Sequence, residues 1–303
     1  MQTFRFGIAT PILMNSNLSG FSRWELDAGP SELEAIAASA DRLGFHFLTS
    51  VEHVGVGPDT AAKRGPRFYD SLATLAWLGA LTRNIHLLTY IVVLPYHHPL
   101  AVAKRFGTLD LLSRGRLILG LGVGSVREEY ELLGKDFDSR GAIYTEALKA
   151  LRASMGTENP SFHGTYYNFE NIIVNPTLRK DTPIWLGGRT FRSLARAVEF
   201  GDGWVPFGLE EDSYRVFIAR AKQDAAMQRR NRPFEFVLPI DVSPDVNQAK
   251  ERGDFLKMVE NRIAVGATMA NLNVLAHSFK HYLEQLEWLA FEVFPMFGVD
   301  QAR

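Results

Sequence analysis

The sequence predicts an α/β protein, and specifically a (β/α)8 barrel formed by a single domain over residues 1–303. Short apolar stretches alternate with longer amphipathic ones, and the connections are short, which is typical of a parallel sheet. Eight strands and at least eight helices follow from this pattern, and no stretch has the composition of a linker between domains. The length of 303 residues also suits one α/β barrel.

The first four strands and the helices between them are the clearest elements. The strands are short runs of apolar, aromatic and β-branched residues. The helices carry one apolar stripe at helical spacing, and Asp70 and Gly44 mark a helix start and a helix end. The predicted bounds are 4–9, 45–53, 85–93 and 117–121 for strands 1 to 4, and 30–43, 71–81 and 100–113 for the helices.

The stretch after strand 4 is rich in glycine. Gly120, Gly122 and Gly124 follow an apolar run, and glycine permits close backbone approach or unusual backbone angles. Ser125 and Glu128 have the spacing of a capping box, so a helix is expected to begin there and to leave Glu129 free. A dinucleotide fingerprint would need its third glycine one place later, and it would follow the first strand. We therefore favour a barrel strand, with Glu129 in the loop at its C-terminal end.

Strand 2 ends on a carboxylate and an imidazole, Glu52 and His53, and a barrel places its active site at such strand ends. Histidine titrates near neutral pH and suits proton transfer, although a histidine that is hydrogen-bonded at a loop start is the alternative interpretation. His97 and His98 look like a metal pair. Adjacent residues on an extended segment point to opposite sides, however, and no third ligand is near, so we predict no metal site.

An insertion is predicted between strands 4 and 5, because a helix around 144–153 and a turn-rich segment over 162–176 separate them. Such long excursions often act as lids. The segment 183–207 supplies strand 5, a helix ending at Gly201 and a short strand 6, and strands 7 and 8 are expected at 234–240 and 269–275, with helices at 212–228, 255–261 and 278–293.

A glycine pair after strand 5 is a candidate phosphate site. Gly187 and Gly188 precede Arg189, Thr190 and a helix start, which together offer exposed amides, a helix dipole, one cation and one hydroxyl. A tight turn between strand and helix is the alternative interpretation.

Composition argues against several classes of partner. The net charge of −1 gives no field that would attract nucleic acid or an anionic membrane. The absence of cysteine excludes disulfides, thiol catalysis and cysteine-based zinc sites, and no apolar run approaches the ~20 residues of a membrane span. We therefore expect a cytoplasmic protein that binds neither nucleic acid nor membrane.

Several motifs, in register from Phe4 to about Pro295, resemble those of the luciferase-like monooxygenase superfamily, and within it the coenzyme F420-dependent oxidoreductases. They are Glu52–His53, the stretch HHPLAVAKRFGTLDLLSRGRLILGLGVG, the Glu129–Tyr130 pair, SFHGTYYNF, and PIWLGG with GDGW. The resemblance implies a TIM barrel, usually a homodimer, that holds a flavin or deazaflavin at its C-terminal mouth.

The resemblance also implies roles for individual residues. The implied cofactor-binding positions are Glu52, the strand-3 bulge Thr89, Tyr90 and Ile91, and the phosphate segment Gly187, Gly188, Arg189 and Thr190. The family often has a non-prolyl cis peptide in that bulge, which here would be the Tyr90–Ile91 bond. The implied chemistry is hydride transfer between F420 and a small organic substrate, with His53 and Glu129 as catalytic proton donors and acceptors.

Two other functions are compatible with these motifs. An FMN-dependent monooxygenase that uses reduced flavin and oxygen is the second function, and a non-enzymatic cofactor carrier is the third. Sugar-phosphate dehydrogenases of the family carry an aromatic residue shortly after the histidine, whereas this chain has Val54-Gly55-Val56-Gly57, which argues against a sugar phosphate. An apolar or aromatic substrate is suggested by aromatic residues whose alternative role is packing, namely Phe21, Trp24, Phe162, Tyr166 and Tyr167.

Overall fold

Eight parallel strands close into a barrel in the computed structural model, which describes residues 3–15, 23–243, 245–246 and 248–299. The strands are β1 Arg5–Ile8, β2 Phe47–Ser50, β3 His86–Thr89, β4 Leu117–Gly122, β5 Ile184–Gly187, β6 Gly203–Val205, β7 Glu235–Val242 and β8 Met269–Val274. Closure occurs where β1 pairs with β8 on one side and with β2 on the other. The predicted (β/α)8 barrel is therefore confirmed.

Helices surround the barrel. They are α1 Arg23–Asp27, α2 Pro30–Arg42, α3 Pro58–Arg64, α4 Ser71–Leu81, α5 Pro99–Leu112, α6 Arg127–Leu132, α7 Arg140–Ser154, α8 Phe191–Phe200, α9 Glu211–Lys222, α10 Ala225–Gln228, α11 Ala249–Val265 and α12 Phe279–Trp288. The predicted cap Asp70 accepts the Ala73 N–H, and Gly44 has a φ of 81° just after α2. Within the described ranges, no helix is both long and apolar enough to cross a membrane.

Apolar side chains fill the interior of the barrel. One residue from each of β2 to β8 contributes to this cluster, namely Phe47, Leu88, Ile118, Trp185, Val205, Val237 and Met269. Strand β1 contributes Gly7 instead, because a Cβ there would overlap the ring of Phe47. The filled interior makes the barrel a packed core rather than a pore, so a ligand must bind at one of its ends.

Strand β3 ends earlier than predicted because the chain bends. The expected strand over 85–93 stops at Thr89, continues through a cis peptide between Tyr90 and Ile91, and resumes at Val92–Val93 beside β4. The glycines of β4 make room for this bend. A Cβ on Gly120 would overlap the carbonyl oxygen of Thr89, and one on Gly122 would overlap the side chain of Ile91.

Two helices and a short antiparallel pair lie between β4 and β5. The pair joins Phe162–His163 to Asn168–Phe169, and Glu146 of α7 accepts the backbone N–H groups of the turn between them. The predicted capping box of Ser125 and Glu128 is wrong. The chain is still extended at Val126, so α6 begins only at Arg127 and has no side-chain cap.

Three other predicted helices have different bounds. The helix expected over 212–228 is interrupted, since Asp224 caps a separate α10. The helix expected near 255–261 extends over the whole of α11. The last helix ends at Trp288 and continues as a π turn over Leu289–Val293.

Candidate active site

Carboxylates and imidazoles meet at the C-terminal ends of β2, β3 and β4. Glu52 and His53 follow β2, Tyr90 follows β3, and Glu129 lies in the first turn of α6 after β4. Since the strands are parallel and adjacent, their C-terminal ends share one mouth of the barrel. The fold thus brings together residues that are far apart in the sequence.

The contact between His53 and Glu129 is the centre of this site. His53 Nδ1 lies 2.9 Å from Glu129 Oε2, and the backbone N–H of Val54 donates to Glu129 Oε1 at 2.7 Å. The hydroxyl of Tyr96 donates to Oε2 at 3.2 Å. The Glu129 carboxylate is only 1% exposed, so these protein donors replace water around it.

Electrostatics keep the Glu129 carboxylate ionised. Burial alone would raise its pKa, but the hydrogen bond and charge of His53, together with the backbone amides of Val54 and Gly55, outweigh burial and lower the pKa below the usual value. Burial and the nearby Glu129 charge raise the pKa of Tyr96, so its hydroxyl keeps its proton and donates. Glu129 is therefore an acceptor that fixes its neighbours.

The other ring nitrogen of His53 is available for chemistry. Among the described residues, His53 Nε2 makes no hydrogen bond, and the side chain is 21% exposed. The ring of Phe68 packs 4.4 Å from the imidazole centroid, at an angle of 51°. Because Nδ1 is held by Glu129 and one face by Phe68, Nε2 is the ring nitrogen that His53 presents toward the mouth of the barrel.

Glu52 forms a second carboxylate–imidazole pair. Its Oε1 lies 2.8 Å from His97 Nε2, and its Oε2 accepts the backbone N–H of Val93 at 2.6 Å. Val93 lies just beyond the bend of β3. Glu52 was predicted to contact a cofactor, and the structure shows that both of its oxygens hold the protein segment from 93 to 97.

The bend of β3 presents Tyr90 and Ile91 at the mouth. The Tyr90 hydroxyl donates to the Pro206 carbonyl oxygen at 3.0 Å, which ties β3 to the end of β6. Burial raises the pKa of Tyr90 to about 12, although the neighbouring Asn271 side chain opposes the change. Thr89 is fully buried, and its hydroxyl both donates to and accepts from the backbone of Gly120.

The glycine pair after β5 leads into the start of α8. Gly188 has a φ of 132°, and Thr190 is the N-cap, accepting the Ser193 N–H at 3.2 Å while Ser193 Oγ accepts the Thr190 N–H. Arg189 is exposed beside this cap. The first amides of any helix lack intrahelical acceptors, so this end of α8 can bind an anion.

These features fit a cofactor that has a flat ring system and a phosphate. Tyr90 and Ile91 are partly buried apolar side chains at the mouth, and the start of α8 offers amides and the cation of Arg189. In addition, the Oδ1 atom of Asn271 on β8 is buried and has no hydrogen-bond partner in the described part of the chain. A buried acceptor of this kind is costly unless a ligand satisfies it.

Four contributors to this mouth were missed in the sequence: Phe68, Tyr96, His97 and Asn271. Their contacts depend on tertiary pairing that no local spacing reveals. Phe68, for example, reaches His53 because Arg67–Phe68 pairs with Met14–Asn15 and because Arg67 donates to the carbonyl oxygens of Glu25 and Leu26.

The aromatic residues suggested as substrate contacts mostly serve packing. Trp24 donates to the Ala276 carbonyl oxygen and packs on Tyr282, while Phe162 and Tyr167 pack against a small core cluster. Tyr166 is exposed, and Phe21 lies outside the described residues.

The adjacent histidines His97 and His98 have different partners. His97 bonds Glu52, whereas His98 caps α5 by accepting the Leu100 N–H and packs against the ring of Tyr167. No group of three or more His, Asp or Glu side chains in the described segments could hold a metal ion.

Comparison with protein families gives one extensive match. The sequence model of the family described as luciferase-like monooxygenase matches residues 5–292 of this chain. An uncharacterised protein of Mycobacterium tuberculosis is 32% identical over 219 residues, which cover 68% of this chain and 76% of that protein. The F420-dependent hydroxymycolic acid dehydrogenase of the same organism is 29% identical over 176 residues, covering 57% of this chain and 48% of the relative.

Solved structures share the fold at low sequence identity. Monooxygenase RslO1 from Streptomyces bottropensis has a TM-score of 0.76 at 20% identity, covering 97% of this chain and 100% of its own. An F420-dependent secondary alcohol dehydrogenase, in complex with an F420–acetone adduct, has a TM-score of 0.74 at 15% identity, covering 99% and 100%. The FMN-bound type II Baeyer–Villiger monooxygenase of Pseudomonas putida has a TM-score of 0.71 at 16% identity, covering 99% of this chain and 100% of its own.

Proposed function

This chain belongs to the luciferase-like monooxygenase family, a family of oxidoreductases, and we propose that it is an F420-dependent oxidoreductase that transfers a hydride between the deazaflavin and a small organic substrate. The observation that carries the proposal is the His53–Glu129 pair beside the bend of β3. Hydride transfer to or from a carbonyl or alcohol also requires one proton. A partly exposed imidazole with one nitrogen fixed by a carboxylate is suited to move that proton.

In this proposal, His53 exchanges the proton at Nε2. Glu129 accepts from Nδ1, selects the tautomer and stabilises the imidazolium that forms when His53 takes a proton. Glu129 is buried and already has several donors, so its part is to position and stabilise His53 rather than to touch the substrate. When bound, the cofactor would supply or accept the hydride.

The cofactor would be held by residues from three strand ends. Tyr90 and Ile91 would back the ring, with Thr89 setting the backbone and Glu52 holding the segment that follows. The turn formed by Gly187, Gly188 and Thr190 at the start of α8, together with the Arg189 cation, would hold the phosphate. The unpartnered acceptor on Asn271 supports a ligand with a hydrogen-bond donor.

The second candidate is an FMN-dependent monooxygenase. It is supported by the same site, since both cofactors combine a tricyclic ring with a phosphate, and by the shared fold of the FMN-bound Baeyer–Villiger monooxygenase. The two functions differ in their use of oxygen, because a reduced flavin reacts with oxygen and a deazaflavin favours plain hydride transfer.

Titration of the apoprotein with F420 and with FMN, followed by tryptophan quenching, tests this choice. We expect saturable quenching by F420 and little by FMN. Turnover of F420 with a panel of alcohols and ketones should then proceed without oxygen. Selective binding of FMN, with oxygen-dependent turnover, would instead establish the monooxygenase. Binding of neither cofactor would contradict both candidates.

We also propose a homodimer that forms through α4. This helix contains no charged residue, and its outward face is apolar, consisting of Ala73, Ala76, Trp77 and Ala80. A helix that is apolar all round is normally covered on both sides. The Trp77→Glu variant should therefore elute as a monomer in light-scattering chromatography, while the wild type elutes as a dimer. A wild-type monomer would refute the proposal.

A further inference from the structure

A positively charged cavity lies at the opposite end of the barrel from His53. Its volume is about 320 Å³, and its charged lining consists of Arg152, Lys180, Arg230, Arg232 and Glu199. Lys180 precedes β5, the two arginines at 230 and 232 precede β7, and Arg152 lies near the C-terminal end of α7. These positions place the cavity at the N-terminal ends of β5 to β7, away from the mouth that carries the candidate active site.

One carboxylate serves three of these cations. Asp202, just before β6, lies 2.8 Å from Arg152 Nη2, 3.5 Å from Arg230 Nη2 and 3.4 Å from Arg232 Nη2. Asp202 also accepts the backbone N–H of Ile184 at 3.1 Å. A single carboxylate has too few lone pairs and too little charge to satisfy three guanidinium groups.

Neutral groups, rather than additional carboxylates, hold two of the arginines in place. Arg152 Nε donates to the Phe200 carbonyl oxygen at 2.9 Å, and Arg230 Nη1 donates to that of Val198 at 2.8 Å. The Arg230 guanidinium also lies 5.0 Å from the ring centroid of Phe234. These contacts fix the positions of the guanidinium groups without neutralising them. The positive charges are therefore already in place for a ligand.

A buried donor in this cluster has no acceptor. Arg230 Nε is inaccessible to water and makes no hydrogen bond to any described residue. Burial lowers the pKa of Arg230, and the charges of Arg232 and Arg152 act in the same direction against that of Asp202. The site therefore has an excess of both positive charge and hydrogen-bond donors.

A second arginine–carboxylate contact at the same end of the barrel shows what a purely structural pair looks like. Asp110 accepts from Arg179 Nε at 2.8 Å and from the Thr182 hydroxyl at 2.7 Å. Arg179 has a second carboxylate, Asp181, at 2.9 Å. There, acceptors match donors, whereas around Asp202 the donors exceed the acceptors.

We propose that the cavity beside Asp202 binds a compact multivalent oxyanion, either a phosphate or a small polycarboxylate. Four cations facing Asp202 and Glu199 leave an excess of positive charge for such a ligand to neutralise. Arginine recognises oxyanions of both kinds through paired N–H donors. This proposal is independent of the function proposed for the mouth of the barrel.

Calorimetric titration of the full-length protein with inorganic phosphate and, separately, with citrate tests the proposal, with sodium chloride at matched ionic strength as the blank. We expect at least one of the two anions to bind saturably and to raise the unfolding temperature beyond the effect of chloride. Binding of only one identifies the class of ligand. Absence of saturable binding by both anions would overturn the proposal.

Variants assign the binding to this cavity. Arg232→Gln and Lys180→Gln change exposed side chains and should each weaken anion binding about tenfold. Arg215→Gln, on the exposed surface of α9, should leave it unchanged. Unchanged binding in Arg232→Gln and Lys180→Gln, or its loss in Arg215→Gln, would contradict the assignment.

Discussion

The two ends of the barrel surround their buried and half-buried carboxylates with different partners. At the C-terminal mouth, Glu129 and Glu52 each contact an imidazole and backbone amides. At the N-terminal end, Asp110 and Asp202 contact arginines. Histidine is a residue type that suits proton exchange and arginine is not, so the partners of the carboxylates at the mouth differ in chemistry from those at the other end.

Histidines at the N-terminal end sharpen this contrast. The rings of His46 and His86 lie 4.5 Å apart close to Arg5. Burial, with the charges of His86 and Arg5, lowers the pKa of His46 to about 3. This imidazole therefore stays neutral under ordinary conditions. Histidine therefore differs between the two ends. His53, beside a carboxylate, is a candidate proton carrier, whereas His46, beside an arginine, is an uncharged packing group.

The largest expected effect concerns His53. The His53→Ala variant should lose turnover about 10²- to 10⁴-fold, because the proposed proton carrier is absent. Its affinity for the cofactor, measured by tryptophan quenching, should stay within about threefold. His163→Ala, an exposed histidine on the hairpin before β5, is the matched control and should retain full activity. Wild-type turnover in His53→Ala would remove the functional distinction between the two ends.

A stability prediction tests the N-terminal end. The Asp110→Ala variant should lose about 2–3 kcal/mol of unfolding free energy, because the buried hydroxyl of Thr182 and the Arg179 guanidinium lose their acceptor. Urea unfolding measures this loss. Asp181→Ala removes the exposed partner of the same arginine and should cost less than about 0.5 kcal/mol. Similar losses of unfolding free energy in the two variants would show that burial does not determine how much each ion pair contributes to stability.

The pH dependence of stability tests the neutral state of His46. Its folded pKa lies below its unfolded value, so the unfolded chain binds more protons between about pH 6.5 and pH 3. Stability should therefore fall as the pH falls through this range, by up to about 1.4 kcal/mol per pH unit from this group. Unfolding of His46→Gln at pH 7, 6 and 5 should show a shallower slope, and exposed His277→Gln an unchanged one. A slope unaltered in His46→Gln would contradict the low pKa.

The smallest expected effect concerns Glu52. Glu52→Gln keeps an acceptor oxygen for the Val93 N–H but presents an NH2 donor to His97 in place of a carboxylate oxygen, so the charge-assisted contact is lost and the segment after the bend should loosen. We expect cofactor affinity to fall about tenfold, which corresponds to ~1.4 kcal/mol. Turnover at saturating cofactor should change less. The exposed Glu128→Gln is the control. An unchanged affinity in Glu52→Gln would show that this pair does not position the cofactor segment.

Much of the fold could be predicted from the sequence because it depends on local patterns. Strands filled with apolar residues, such as Leu117 to Leu121, are buried whatever their neighbours, and Asp70 caps a helix that begins next to it. The capping box at Ser125 failed because spacing alone does not fix backbone angles. The chain remains extended through Val126 before it turns into α6.

The candidate site was predictable only in part. Positions at strand ends, such as His53 and Glu129, follow from the barrel and from the family resemblance, and their roles remain predictions. Partners that arrive from other segments could not be predicted, because they depend on how loops fold back. Phe68 reaches His53 through a two-residue strand pairing, and Asp202 gathers arginines that lie far apart in sequence.

The glycines of β4 have a consequence for how this mouth can evolve. A side chain at Gly122 would occupy the space that Ile91 now fills, so the two positions share one volume. A larger residue at 122 is acceptable only with a smaller one at 91, and relatives should therefore show correlated exchange at these positions. For an engineer, truncation of Ile91 to valine or alanine is the simplest way to recess the wall at the mouth and admit a bulkier ring.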